Sequence, residues 1–175
     1  MQNLLLISGS LRETSMNTGL LRALSEEAPE GIDVSWADLR LPLYDQDEES
    51  DFPASAAKLR KAILAADAIA IATPEYNRGM SGVLKNAIDW ASRPYGENAW
   101  AGKRVLVASA SPGSIGGALA VYQVKQSLLH LDAEILGQPE VMVGGAAEKF
   151  DEGGRLVDDR TREFLRQAIN RLLSA

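Results

Sequence analysis

Short apolar runs and amphipathic stretches alternate along the whole chain. The apolar runs predict strands at residues 3–8, 33–37, 67–72 and 103–109, with a broken fifth strand at 134–136 and 141–143. The other stretches repeat apolar residues every three or four positions, which predicts helices at 16–28, 54–66, 81–91, 116–131 and 158–173. This alternation is typical of βαβ units that share a parallel sheet.

Five strands alternating with five helices indicate an α/β protein with a three-layer, doubly wound sheet. Right-handed crossovers restrict its topology and favour the flavodoxin-like order 2-1-3-4-5 of five parallel strands. The chain has 175 residues and no internal repeat or low-complexity linker, so residues 1–175 are expected to form a single domain. The segment 38–53 has no apolar period and is expected to be a long loop.

In this fold, ligands bind at the carboxyl ends of the strands where the winding direction reverses. In the predicted order, those ends lead into three loops, residues 9–17, 73–82 and 110–117. The same three loops have the most unusual composition in the chain. We therefore expect them to form one binding site.

Composition restricts the chemistry of that site. The chain has no cysteine and a single histidine, His130, so thiolate chemistry and a histidine-rich metal site are excluded. No metal and no catalytic side chain are expected, and the chemistry should come from a cofactor. The net charge of −6 argues against nucleic-acid binding. No apolar run approaches the roughly 20 residues of a membrane helix, and no signal peptide is recognisable, so a cytoplasmic protein is expected.

The first loop is suited to an anion. Hydroxyl side chains, an amide and a cation lie just before or within the first turn of a helix, where free N–H groups attract negative charge; they are Ser10, Arg12, Thr14, Ser15, Asn17 and Thr18. One glycine and many hydroxyls fit a terminal monophosphate better than a pyrophosphate. An alternative stays open, in which Ser15 or Asn17 only caps the helix and Arg12 is a solvated surface charge.

Three segments resemble the NADPH-dependent FMN reductase family, which includes flavodoxin-like quinone, azo-dye and chromate reductases. They are Gly-Ser-Leu-Arg-x-x-Ser-x-Asn from Gly9, Leu-Pro-Leu-Tyr-Asp from Leu41, and Pro-Glu-Tyr-Asn from Pro74 with the later Leu-Lys-Asn-Ala-Ile-Asp-Trp. The matching segments run from residue 4 to about residue 165. Many members have proline at the position of Ser81 and a different residue at that of Gly79, so the resemblance does not determine the shape of this turn.

The resemblance implies an FMN-dependent enzyme that takes hydride from NADPH or NADH and passes it, in a ping-pong sequence, to a quinone, azo compound, oxyanion or second flavin. It also implies a homodimer or homotetramer. The residues that would hold the FMN phosphate are Ser10, Arg12, Ser15 and Asn17, with Met16 beside them. Those that would line the ring are Pro74, Glu75, Tyr76, Asn77, Ser111 and Gly113.

Some residues in these motifs are expected to have structural roles. An acidic side chain beside reduced flavin is unfavourable, so Glu75 is expected to act through its backbone or a structural partner. Lys85, Asn86 and Asp89 lie at helical spacing and are expected to anchor the helix or a subunit interface. Trp90 is expected to be a core or dimer contact and not to stack on the cofactor. No pair of arginines for the 2′-phosphate of NADPH stands out, so the sequence does not decide between NADPH and NADH.

Three other functions remain open at this point. A flavodoxin-like electron carrier would bind FMN but react only with protein partners. A flavin reductase would release free reduced FMN to a monooxygenase. A module for another phosphate ester would bind no flavin.

Overall fold

A computed structural model describes residues 2–174. The main sheet contains β1 (Gln2–Ser8), β2 (Ile32–Trp36), β3 (Ala68–Ala72), β6 (Arg104–Ala110), β7 (Glu134–Ile135) and β8 (Val141–Val143), and a separate hairpin contains β4 (Glu75–Tyr76) and β5 (Gly79–Met80). The helices are α1 (Met16–Glu26), α2 (Ala54–Ala65), α3 (Gly82–Ala91), α4 (Ala118–His130) and α5 (Asp159–Leu173).

The main sheet is parallel and has the order β2-β1-β3-β6-β7, with β8 pairing the far end of β6. This confirms the predicted order 2-1-3-4-5, since β7 and β8 are the two halves of the broken fifth strand. In the middle of the sheet, Leu4 pairs with Val34 on one side and with Ala68 on the other. The carboxyl ends of β1, β3 and β6 therefore lie side by side.

Two apolar cores cover the two faces of the sheet. The face of Leu4 and Leu6 packs against α1 and α5. The face of Leu5 and Ile7 packs against α2, α3 and α4. Both faces of β1 are fully buried, which explains why its sequence is a continuous apolar run. The three-layer α/β prediction is confirmed, and no helix within residues 2–174 is long and apolar enough to cross a membrane.

Several local boundaries differ from the sequence prediction. The fourth predicted helix begins at Ala118 and not at residue 116, because Gly116 and Gly117 have positive φ angles of 62° and 78° that a right-handed helix cannot contain. The segment 38–53 is mostly loop but includes a 3₁₀ helix, Gln46–Asp51, whose first turn is capped by Asp45. The β4–β5 hairpin inside the second loop was not predicted, since each of its strands is only two residues long.

Candidate functional site

The three predicted loops meet at the carboxyl edge of the sheet around a cavity of about 140 Å³. It is lined by nine of the eleven residues that the sequence proposed: Ser10, Arg12, Ser15, Met16, Asn17, Pro74, Glu75, Tyr76 and Ser111. Ala110 and Pro112 complete the lining. The remaining two, Asn77 and Gly113, do not line it.

A second cavity of about 340 Å³ adjoins the first and shares Ser10, Arg12 and Tyr76 with it. The rest of its lining comes from Gly9 and Leu11 on the first loop and from the start of α3, at Ser81, Gly82 and Val83. We call the two cavities together the cleft. Ser81 and Gly82 lie in the predicted second loop, but neither they nor Val83 were among the proposed site residues. A serine directly before an apolar helical pattern is a common N-cap signal, and Ser81 does cap α3.

The first loop brings a cation without a counterion to the start of α1. Within residues 2–174, Arg12 forms no ion pair, and its backbone N–H donates to the Ser10 hydroxyl at 3.3 Å. The first turn of α1 contains no acidic residue. Ser15 caps the helix by accepting a bond from the Thr18 N–H at 3.4 Å, so the capping role considered from the sequence is present. Positive charge, hydroxyls and a helix N-terminus together fit a phosphate monoester.

Asn17 joins the first loop to the third. Its side chain is only 4% exposed; Nδ2 donates to the Ala110 carbonyl at 3.0 Å, and Oδ1 accepts from the Ala110 N–H at 2.9 Å. The neighbouring strand β3 has ended at Ala72, so the amide occupies the position of a strand beside the end of β6. Asn17 thus lines the cleft, and it also fixes the distance between two of the loops that form it.

The second loop is a hairpin whose turn residues, Asn77 and Arg78, have φ angles of 50° and 65°. Tyr76 is 51% exposed and lies between the two cavities. The first loop is held close to the end of β3 at Gly9, whose N–H donates to the Ala72 carbonyl at 2.8 Å. A Cβ atom there would lie 3.0 Å from the Ser81 hydroxyl oxygen and 3.2 Å from the Ala72 carbonyl oxygen. Glycine at this position therefore permits direct backbone contact between the loops.

Glu75 has structural partners, as expected. Its carboxylate accepts from the N–H groups of Leu119 at 3.0 Å and Ala120 at 3.2 Å, and it pairs with Arg78 at 3.1 Å. The N-cap of α4 is Gly117, which has no side chain to offer, so a residue from a different loop caps this helix. The Glu75 side chain is only 8% exposed. Its negative charge is thereby directed to a helix N-terminus and a guanidinium.

The helix after the hairpin anchors the loop that follows β2. The Asn86 amide accepts from the Tyr44 N–H at 2.8 Å and donates to the Pro42 carbonyl at 2.9 Å, and the fully buried Trp90 donates its indole N–H to the same carbonyl. Asn86 was expected to anchor the helix or an interface, and Trp90 to be a core or dimer contact; within the chain both residues hold this loop, and Trp90 is part of the buried core.

Comparisons with known proteins agree with this geometry. The family described as NADPH-dependent FMN reductase matches residues 2–148 of the chain. The chain belongs to this family. A quinone reductase of Pseudomonas putida is 46% identical over 170 residues, which cover 96% of this chain and 91% of that protein. A 2-hydroxy-1,4-benzoquinone reductase of a Burkholderia species is 40% identical over 166 residues, covering 94% and 91%.

The structure of FerB, a flavoenzyme NAD(P)H:(acceptor) oxidoreductase from Paracoccus denitrificans, superimposes with a TM-score of 0.91 at 36% identity, covering 99% of this chain and 96% of FerB. The FMN reductase family assignment therefore rests on both sequence and fold. In this family member, Ser10, Arg12, Ser15 and the α1 N-terminus are suited to the cofactor's phosphate. Pro74 and Tyr76 are suited to its ring.

Proposed function

We propose that this chain is an FMN-dependent NAD(P)H oxidoreductase that reduces quinones or similar small electrophilic acceptors. The observation that carries the proposal is the cleft. Arg12, which has no counterion among residues 2–174, and the exposed Tyr76 line both of its cavities, with the N-terminus of α1 beside the narrower cavity and that of α3 beside the wider one. Quinone reductases among the relatives and the flavoenzyme with the same fold support it.

FMN, when bound, supplies the hydride chemistry, so the chain needs no acid, base or nucleophile of its own. Ser10, Arg12 and Ser15 would hold its phosphate. Pro74, Tyr76 and Ser111 would line its ring, largely with backbone, while Asn77 and Gly113 would shape the loops that carry these contacts.

The start of α3 contributes electrostatically. Gly82 and Val83 lie in the first turn of α3 and line the wider cavity. Their N–H groups belong to the positive end of the helix dipole, which stabilises negative charge developing in that cavity. Donor and acceptor are proposed to use this cavity in turn, in a ping-pong sequence.

The active protein is a homodimer or homotetramer in the cytoplasm, formed from a single domain of residues 1–175. Large apolar side chains are exposed on α4, at Leu119, Tyr122 and Leu129, and just before it at Ile115. A row of such residues along one helix is typical of a contact surface. Neither nucleic acid nor membrane is a partner, in keeping with the net charge of −6.

An absorbance titration tests the function. The purified protein should show a flavin spectrum, lose it when NADPH or NADH is added without oxygen, and regain it when benzoquinone follows. A carrier would resist NAD(P)H and accumulate a one-electron-reduced form. A supplier of free reduced flavin would lose its colour on dialysis and reduce added FMN. A protein that takes up no FMN under excess cofactor would contradict the proposal.

A further inference from the structure

A separate cavity of about 240 Å³ lies at the carboxyl end of β2, outside the cleft. Its walls are the last residue of β2, Trp36, the loop that follows it, and the first half of α2. Trp36, Asp38, Arg40 and Lys58 supply its aromatic and charged groups, and Leu59 and Ala62 are the apolar part of its lining. None of the residues proposed to bind FMN contributes to it.

The cavity combines an aromatic surface with net positive charge. Trp36 is 45% exposed, so the ring is available for stacking with a planar heterocycle. Among residues 2–174, Lys58 has no acidic partner. Arg40 pairs with Asp38 at 3.3 Å, but their side chains are 68% and 63% exposed, and such a pair is weak and readily exchanged for another anion. Two cations and one carboxylate therefore face the cavity in a chain whose overall charge is −6.

The cavity is also close to the cleft. Trp36 pairs with Leu6 in the sheet, and the first loop of the cleft begins three residues later, at Gly9. Strand spacing and rise place the backbones of Trp36 and Gly9 about 5 Å apart across the sheet and about 10 Å apart along it. In a dinucleotide whose nicotinamide lies in the cleft, the pyrophosphate links the nicotinamide to an adenosine, and the adenosine must therefore bind close to the cleft.

We propose that this cavity binds the adenosine 2′-phosphate end of NADPH, with adenine on Trp36 and the phosphate between Arg40 and Lys58. In the dinucleotide-binding branch of the doubly wound folds, a residue near the end of the second strand contacts the ribose 2′ position. Asp38 opposes the phosphate and is better suited to the free hydroxyls of NADH. The balance among Asp38, Arg40 and Lys58 then sets the choice of donor. This inference rests on the proposed function of the cleft.

Donor specificity tests the inference. The double variant Arg40→Ala/Lys58→Ala in the FMN-loaded enzyme should lower kcat/KM for NADPH about tenfold or more, the loss expected from charge-assisted contacts, and change it much less for NADH. Asp38→Asn should shift the ratio in favour of NADPH. Lys61→Ala is the matched control, since Lys61 is exposed on the same helix but lies outside the cavity. An unchanged NADPH-to-NADH ratio in the double variant would overturn the proposal.

Binding of a fragment separates this inference from the redox function. Adenosine 2′,5′-bisphosphate should bind the wild type in calorimetry, bind the Lys61→Ala variant equally well, and lose affinity for the double variant and for Trp36→Ala. This pattern would support the assignment of the cavity to the adenosine end even if no donor reduced the flavin. Failure of every donor to reduce the flavin would contradict only the proposed redox function. No binding to the wild type, or equal binding to the double variant, would refute the cavity's assignment.

Discussion

Replacing Asn17 with alanine should damage both the fold and the cofactor site. The change removes two hydrogen bonds of 2.9 and 3.0 Å and leaves the buried N–H and C=O of Ala110 without partners. An unsatisfied buried polar group costs about 1–3 kcal/mol, so the free energy of unfolding should fall by about 2–4 kcal/mol. FMN affinity should fall as well, because the first and third loops lose the bridge that sets their spacing.

Urea unfolding of the FMN-free protein measures the first effect, and quenching of flavin fluorescence on binding measures the second. Ser15→Ala is a suitable comparison in the same loop. It removes a single 3.4 Å cap bond, and the loss of an N-cap costs about 1 kcal/mol. If Asn17→Ala unfolds within about 0.5 kcal/mol of the wild type, the range of ordinary surface substitutions, then the bridge has no structural role and the reasoning fails.

Three further predictions concern charge. Arg12→Ala should weaken FMN binding about tenfold or more without altering stability, and tight FMN binding by this variant would refute the phosphate assignment. Glu75→Ala should lower the melting temperature through the loss of the α4 cap, whereas Glu75→Gln, which keeps an acceptor, should lower it less; equal losses would show that the charge itself matters most. Hydrogen bonds from the Thr161 side chain and N–H lower the pKa of Asp158, so the folded state gains stability above the ordinary carboxyl pKa and loses it as pH falls through the lowered value. Asp158→Asn should flatten that part of the acid-unfolding profile, and an unchanged profile would contradict the assignment.

The fold could be predicted from the sequence because the residue pattern that indicates each strand or helix lies within that element. Each strand and helix carries its own apolar period, and the crossover rule then restricts the strand order. The even burial of both faces of β1 explains why Leu4 to Ile7 read as one apolar run. The observed start of α4 differs from the predicted one because Gly116 and Gly117 have positive φ angles, which the apolar pattern does not reveal.

The sequence predicted which loops form the site, but not the contacts that individual side chains make there. Loop positions follow from topology, but the partners of individual side chains depend on contacts between distant segments. Asn17 and Ala110 are 93 residues apart in the chain, and Glu75 reaches α4 across more than 40 residues. Arg40 and Lys58 likewise come together only when the loop after β2 folds back on α2. Their spacing in the sequence resembles no pattern for phosphate binding.

The backbone contact at Gly9 has a practical consequence for redesign. Where the first loop passes the end of β3, the Gly9 N–H bonds to the Ala72 carbonyl, and the nearest side-chain atom to Gly9 is the Ser81 hydroxyl oxygen, so Gly9 and Ser81 set the shape of this contact. Leu11 and Val83 line the wider cavity beside this contact. A library that varies these two positions and retains Gly9 and Ser81 should change which acceptors are turned over while the protein keeps its colour.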